Sequence, residues 1–68
     1  MDVFTYLHQS DVCIQNPVVI YQLNRLQNNE IKLDSIKKAA YRATDKKLKN
    51  ALELTLAIFQ KFQKFQQQ

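Results

Sequence analysis

Apolar residues recur along this chain with the period of an α-helix. Val3, Phe4 and Leu7 form a first patch, which predicts a short helix from Val3 to about Ile14. Asn16-Pro17 reads as a second helix start, because Asn is a good N-cap and Pro fits the first helical position, where its missing N–H would be unpaired anyway. Val19, Ile20, Leu23 and Leu26 then make one stripe, predicting a helix from Pro17 to about Gln27. The β-branched run Val18-Val19-Ile20 lowers helix propensity slightly, but the start signal and the stripe outweigh it. Asn28-Asn29 ends this helix, since Asn tolerates the left-handed conformation used at helix C-termini. Glu30 to Leu33 is a connector.

A third helix is expected after a cap at Asp34 or Ser35. Its apolar positions are Ile36, Ala40, Ala43, Leu48, Ala51, Leu52, Ile58, Phe59 and Phe62, nearly all on one 3.6-period face. It is expected to reach about Phe65, which makes about 30 residues and roughly 45 Å, so that its far end extends past the other two helices. The expected fold is therefore all-α: two short helices and one long C-terminal amphipathic helix in a small three-helix domain covering residues 1–68. The tail repeats Phe-Gln-Lys with a spacing of three, which sweeps Phe59, Phe62 and Phe65 around one side of a helix by about 60° per step. Phe59 and Phe62 are expected to pack on the second helix while Phe65 frays. A contact of these rings with a partner helix, a second copy or a membrane surface is the alternative. Gln66-Gln67-Gln68 is expected to be disordered.

Composition supports helices. The 68 residues include no glycine and one proline, whereas a β-rich fold of this size needs several tight turns, usually built with glycine. A chain this short buries only roughly 60% of its unfolded surface, and its stability is expected to be about 3–10 kcal/mol. The single cysteine, Cys13, has no internal disulfide partner, and one histidine, His8, leaves no zinc-finger ligand set. Cys13 reads as a small buried hydrophobe. The uncharged run from Val12 to Asn24 is too short and too polar to span a membrane. The start Met-Asp-Val-Phe lacks a basic region, so no signal peptide is expected and the cytoplasm is the default.

Charge is uneven along the chain. Residues 1–30 hold Arg25 against Asp2, Asp11 and Glu30, a net of −2, and residues 31–68 hold nine Lys or Arg against Asp34, Asp45 and Glu53, a net of +6. Lys37, Lys38, Arg42, Lys46 and Lys49 recur at helical spacing. They read either as a solvated face or as a surface for non-specific, salt-dependent phosphate contacts. No recognition helix aims Arg, Asn or Gln at base edges after a tight turn, so sequence-specific reading of DNA is not expected. Nothing points to catalysis or to a cofactor. Asp11 could only orient His8, no paired carboxylates stand on an apolar face, and a chain without glycine has no phosphate loop.

Asp45 stands out within Tyr41-Arg42-Ala43-Thr44-Asp45-Lys46-Lys47-Leu48. On a continuous helix it neighbours Tyr41, Leu48 and Lys49, at the rim of the apolar face. It reads either as the partner of Lys49 in a surface ion pair, worth a few tenths of a kcal/mol, or as an acid presented to a partner's Arg or Lys, flanked by Tyr41 and Leu48.

At these residues the chain resembles the Hha/YmoA family of small nucleoid-associated modulators, including its Cnu-like members, which carry a Tyr-x-Ala-Ala-Asp-His-Arg stretch in the third helix. Tyr41, Ala43 and Asp45 match it, with Thr44 for the second Ala, Lys46 for His and Lys47 for Arg. Tyr6-Leu7 and Cys13 fall where the family's N-terminal helix places such residues, allowing a two-residue length difference between Cys13 and Asp45. The resemblance covers about residues 4–55. The family's final short helix, with a Pro-x-x-Val-Trp type sequence, has no counterpart, and the chain has no Trp. The resemblance implies a non-enzymatic modulator, located at the bacterial nucleoid, that binds the dimerisation domain of an H-NS-type protein and tunes gene silencing. Asp45 would face basic residues of that partner, and Arg42, Lys46 and Lys49 would add phosphate contacts to the shared DNA filament. The competing classes are another helical interaction protein, such as a phage or plasmid inhibitor, an immunity protein or an oligomerising adaptor, and a weak nucleic-acid binder using the lysine face.

Overall fold

The two N-terminal helices begin and end on local signals. The computed structural model describes residues 2–67. Helix α1, Val3–Gln9, is capped by Asp2, whose carboxylate accepts from the Thr5 N–H at 2.7 Å. That bond holds the Asp2 carboxyl below its ordinary pKa of 3.8, so the cap is complete above that value and is lost as pH falls through the lowered one. Helix α2, Pro17–Gln27, starts as the sequence predicts, with the Asn16 side chain accepting from the Val18 N–H at 2.9 Å and Pro17 at the first position.

Both short helices end in the same way without glycine. Asp11 (φ 56°) and Asn29 (φ 60°) take the left-handed conformation. The Val12 N–H reaches back to the Leu7 carbonyl at 2.9 Å, and the Glu30 N–H to that of Arg25 at 2.9 Å, closing a Schellman motif at each end. This stop shortens α1, which ends at Gln9 and not near Ile14 as the apolar pattern suggests; Ile14 packs on the core from the loop instead.

The C-terminal half differs from expectation. It forms two helices, α3 (Leu33–Arg42) and α4 (Lys46–Gln67), so the all-α domain has four helices and not three. Helix α3 begins at Leu33 after Lys32, ahead of the caps expected at Asp34 or Ser35, because half-buried Leu33 packs on the core. The interruption follows from size. Helices α1 and α2, at 7 and 11 residues, span about 10 and 17 Å and cannot cover a continuous helix of roughly 45 Å. Breaking it lets α3 lie along α4, the most extensive helix pairing in the fold, and seals Ile36 and Ala40 against the core. Burying a side chain such as Ile36 is worth about 1.5–3 kcal/mol, of the same order as the few backbone hydrogen bonds given up at the break, and Ala40 and the Asp45 cap add to the gain.

Helix α4 is the axis of the domain. Its 22 residues span about 33 Å, the full length of a molecule measuring 34 × 22 × 17 Å. It contributes Ala51, Leu52, Ile58, Phe59 and Phe62 to a core shared with Val3, Leu7, Val19, Leu23 and Leu26. Ile20, placed on the α2 stripe by sequence, lies at the edge, 36% exposed. Thr55 is fully buried there, and its hydroxyl donates to the Ala51 carbonyl at 2.8 Å. The helix continues through Gln66 and Gln67, where the sequence suggests disorder, while Gln68 lies outside the described residues. Phe65 does not fray: its ring lies 5.0 Å from that of Tyr6, which also meets Phe62 at 5.5 Å.

Asn29 generates a stability prediction. Asn29→Ala places a β-carbon in the left-handed region without the local bonding of Asn, and its cost is expected to be about 1 kcal/mol. Asn29→Gly is expected to match or exceed the parent. Urea midpoints at unchanged m-value check both.

Candidate interaction surface at the α3–α4 corner

Ala43 to Asp45 join α3 to α4, and Ala43 is extended (φ −66°, ψ 127°). Asp45 is therefore not inside a helix, as the continuous apolar period implies. It is the N-cap of α4: its Oδ1 accepts from the Lys47 N–H at 3.0 Å, and its carbonyl accepts from the Lys49 N–H at 2.9 Å. Lys49 thus meets Asp45 through the backbone, and the expected side-chain ion pair does not form. The one salt bridge among the described residues is Lys38–Asp34, at 3.3 Å within α3.

The surroundings of Asp45 are corrected as well. The sequence suggests a rim against the core, yet Asp45 is exposed, Tyr41 is 86% exposed and Leu48 is 40% exposed; only Leu52, one turn beyond Leu48, is buried. Tyr41 is the most exposed large apolar residue among those described. Asp45 Oδ2 carries no hydrogen bond among the described residues, so one carboxylate oxygen caps the helix and the other faces outward on an exposed side chain. The corner thus carries an exposed acid between two exposed apolar side chains of one octet.

The break also divides the cation stripe. Lys37, Lys38 and Arg42 belong to α3, and Lys46 and Lys49 to the start of α4, all exposed. Lys47 is exposed beside them. The first turn of α4 contains no acidic residue, although the positive end of the helix dipole favours acids there. Asp45 is the one negative charge that offsets it.

Two further sequence candidates fall elsewhere. Cys13, read as buried, is exposed on the loop after α1, because the Schellman stop at Asp11 ends that helix first; it borders a cavity of about 300 Å³ with Phe4, Leu7 and Ile20. Phe59 and Phe62 are buried in the domain's own core, which leaves Phe65 as the one tail ring with substantial exposure for a second copy. A concavity of about 610 Å³ lies between the end of α2 and the last turns of α4, lined by Leu26, Phe59 and Phe62 and away from the corner. No described helix is long and apolar enough to cross a membrane.

The capping role of Asp45 has a measurable consequence. Asp45→Ala is expected to destabilise the domain by about 1 kcal/mol or more, whereas Asn or Ser, equally good caps, keep the cap bond and lose only the charge's contribution at the helix dipole, about 0.3–1 kcal/mol. Thermal unfolding of the three variants side by side checks this; equal destabilisation in all three would mean that the charge and not the cap bond matters.

Comparison with protein-family models, with curated proteins and with solved structures found no match to this chain.

Proposed function

We propose that the chain is a non-enzymatic, protein-binding modulator that docks through the α3–α4 corner. The observation that carries this reading is the exposure of Asp45, Tyr41 and Leu48 together at one helix junction, with only one Asp45 carboxylate oxygen engaged by the helix cap. Aromatic side chains are enriched at interfaces, and a carboxylate near exposed apolar side chains gains specificity when a partner's Arg or Lys covers it and excludes water. The same residues carry the resemblance to the Hha/YmoA family. On that ground the partner is the dimerisation domain of an H-NS-type protein, the setting is the bacterial nucleoid, and the effect is the tuning of gene silencing. Arg42, Lys46 and Lys49 would lie toward the DNA that such a partner holds.

The N-cap position of Asp45 makes the test clean. Asp45→Asn keeps the cap and removes the charge, so a change in binding is not a change in folding. Titrated against a purified H-NS-type dimerisation domain, Asp45→Asn is expected to weaken binding at least 10-fold, the effect of removing a charge-assisted hydrogen bond of about 1.5–3 kcal/mol. Unchanged affinity would remove Asp45 from the interface. Reversing Lys46 and Lys49 to Glu is expected to spare the protein complex and weaken any binding to DNA, read by the same titration with and without duplex.

A further inference from the structure

The cations of this chain are not spread over its surface. Residues 32–49 hold Lys32, Lys37, Lys38, Arg42, Lys46, Lys47 and Lys49 against Asp34 and Asp45, a net of +5, whereas the rest of the chain is net −1. Stability does not explain this placement. Lys46 and Lys47 stand in the first turn of α4, where the helix dipole opposes a cation by about 0.3–1 kcal/mol each at low ionic strength. An excess of positive charge maintained against the dipole is complementary to a polyanion.

Within this field stands Tyr41. The faces of α3 separate cleanly: Ile36 and Ala40 are buried, and Lys37, Lys38, Tyr41 and Arg42 are exposed. Lys37 and Lys38 lie one turn before Tyr41 on the same exposed side of α3, and Arg42 follows it in sequence, so the ring, 86% exposed, stands in a cationic stretch without being covered by any of the three. Tyr21, the other well-exposed tyrosine, is covered by the Arg25 guanidinium at 5.5 Å, whereas Tyr41 has no ring, cation or hydrogen-bond partner among the described residues. Asp34 shares this face and holds Lys38 at 3.3 Å. Both groups are largely solvent-exposed, so the pair is weak and opens readily to a phosphate.

We propose that the outer face of α3 binds single-stranded nucleic acid, with the Tyr41 ring as a platform for an unpaired base and Lys37, Lys38 and Arg42 on the flanking phosphates. An aromatic ring among cations is the pairing by which proteins hold single strands without reading sequence, since every base has a π-face. A paired duplex buries those faces and can use only the cations. This inference goes beyond the protein docking proposed above and does not rest on it.

The test uses purified protein and no protein partner, so its outcome is independent of the Asp45 experiment. Fluorescence anisotropy measures binding of a thymidine dodecamer and of a duplex of the same length over a range of salt. The expected result is tighter binding of the single strand. Tyr41→Leu, which keeps an apolar side chain but removes the ring, is expected to lower single-strand affinity about 10-fold or more and to leave duplex affinity unchanged. Lys37→Gln with Lys38→Gln is expected to reduce the log–log salt slope for the single strand by about 0.7 for each phosphate that is no longer neutralised. A uridine dodecamer measured in parallel distinguishes RNA from DNA, and a tighter complex with either supports the proposal. Equal affinity for duplex and single strand, or full single-strand affinity in Tyr41→Leu, overturns it and leaves a plain electrostatic surface.

Discussion

The bond from the Lys47 N–H to Asp45 Oδ1 is the point on which the C-terminal half of the molecule turns. Two short helices offer too little length to bury one side of an uninterrupted long one. The chain solves this by stopping at Arg42 and restarting at Lys46, so that one part of the apolar stripe covers the other. A restart exposes backbone N–H groups that need a partner, and Asp45 supplies it. The carboxylate also supplies the negative charge missing from the lysine-rich first turn of α4.

The same economy governs the other connections. A chain with no glycine must still stop its helices, and it uses an acid and an amide, Asp11 and Asn29, in the left-handed region. Each stop returns the chain toward the core: Ile14 after the first and Ile31 after the second pack against it. The two short helices are joined across their far ends by the Val3 N–H, which donates to the Gln27 side chain at 2.7 Å. No buried side-chain polar atom among the described residues lacks a partner, as a core this small requires, because one unsatisfied group of about 1–3 kcal/mol would be a large share of the stability.

Much of this fold is legible in the sequence, and the failures have a common cause. The Asn16-Pro17 start, the Asn28-Asn29 stop and the α-helical class follow from local chemistry that tertiary packing does not override. The apolar period misleads at both breaks. Ile14 continues the α1 pattern and Ala43 that of α3, yet Asp11 and Asp45 interrupt the helices there, since a periodic pattern cannot show where backbone bonds change hands. Asp45 is the harder case. Its spacing to Lys49 suits a helical ion pair as well as it suits a cap, and only the shortness of α1 and α2 decides between them. Burial of Thr55 has no signal beyond its place on the stripe.

The corner that results has two faces of different chemistry, and this constrains how one small domain could serve two partners. Asp45 and Leu48 belong to the start of α4, while Lys37, Lys38 and Arg42 belong to α3. Tyr41, at the end of α3, is common to both. A protein that covers the acid needs a cation of its own, and such a cation is repelled by the +5 field of residues 32–49 unless something else neutralises that field. A bound nucleic-acid strand neutralises it. The two proposed binding events would thus be coupled through charge even where they share one side chain: phosphate on α3 would lower the electrostatic barrier for a basic partner at Asp45, while a base stacked on Tyr41 would remove apolar area from that partner's reach. The sign of the coupling depends on ionic strength, since salt screens the first effect and leaves the second intact.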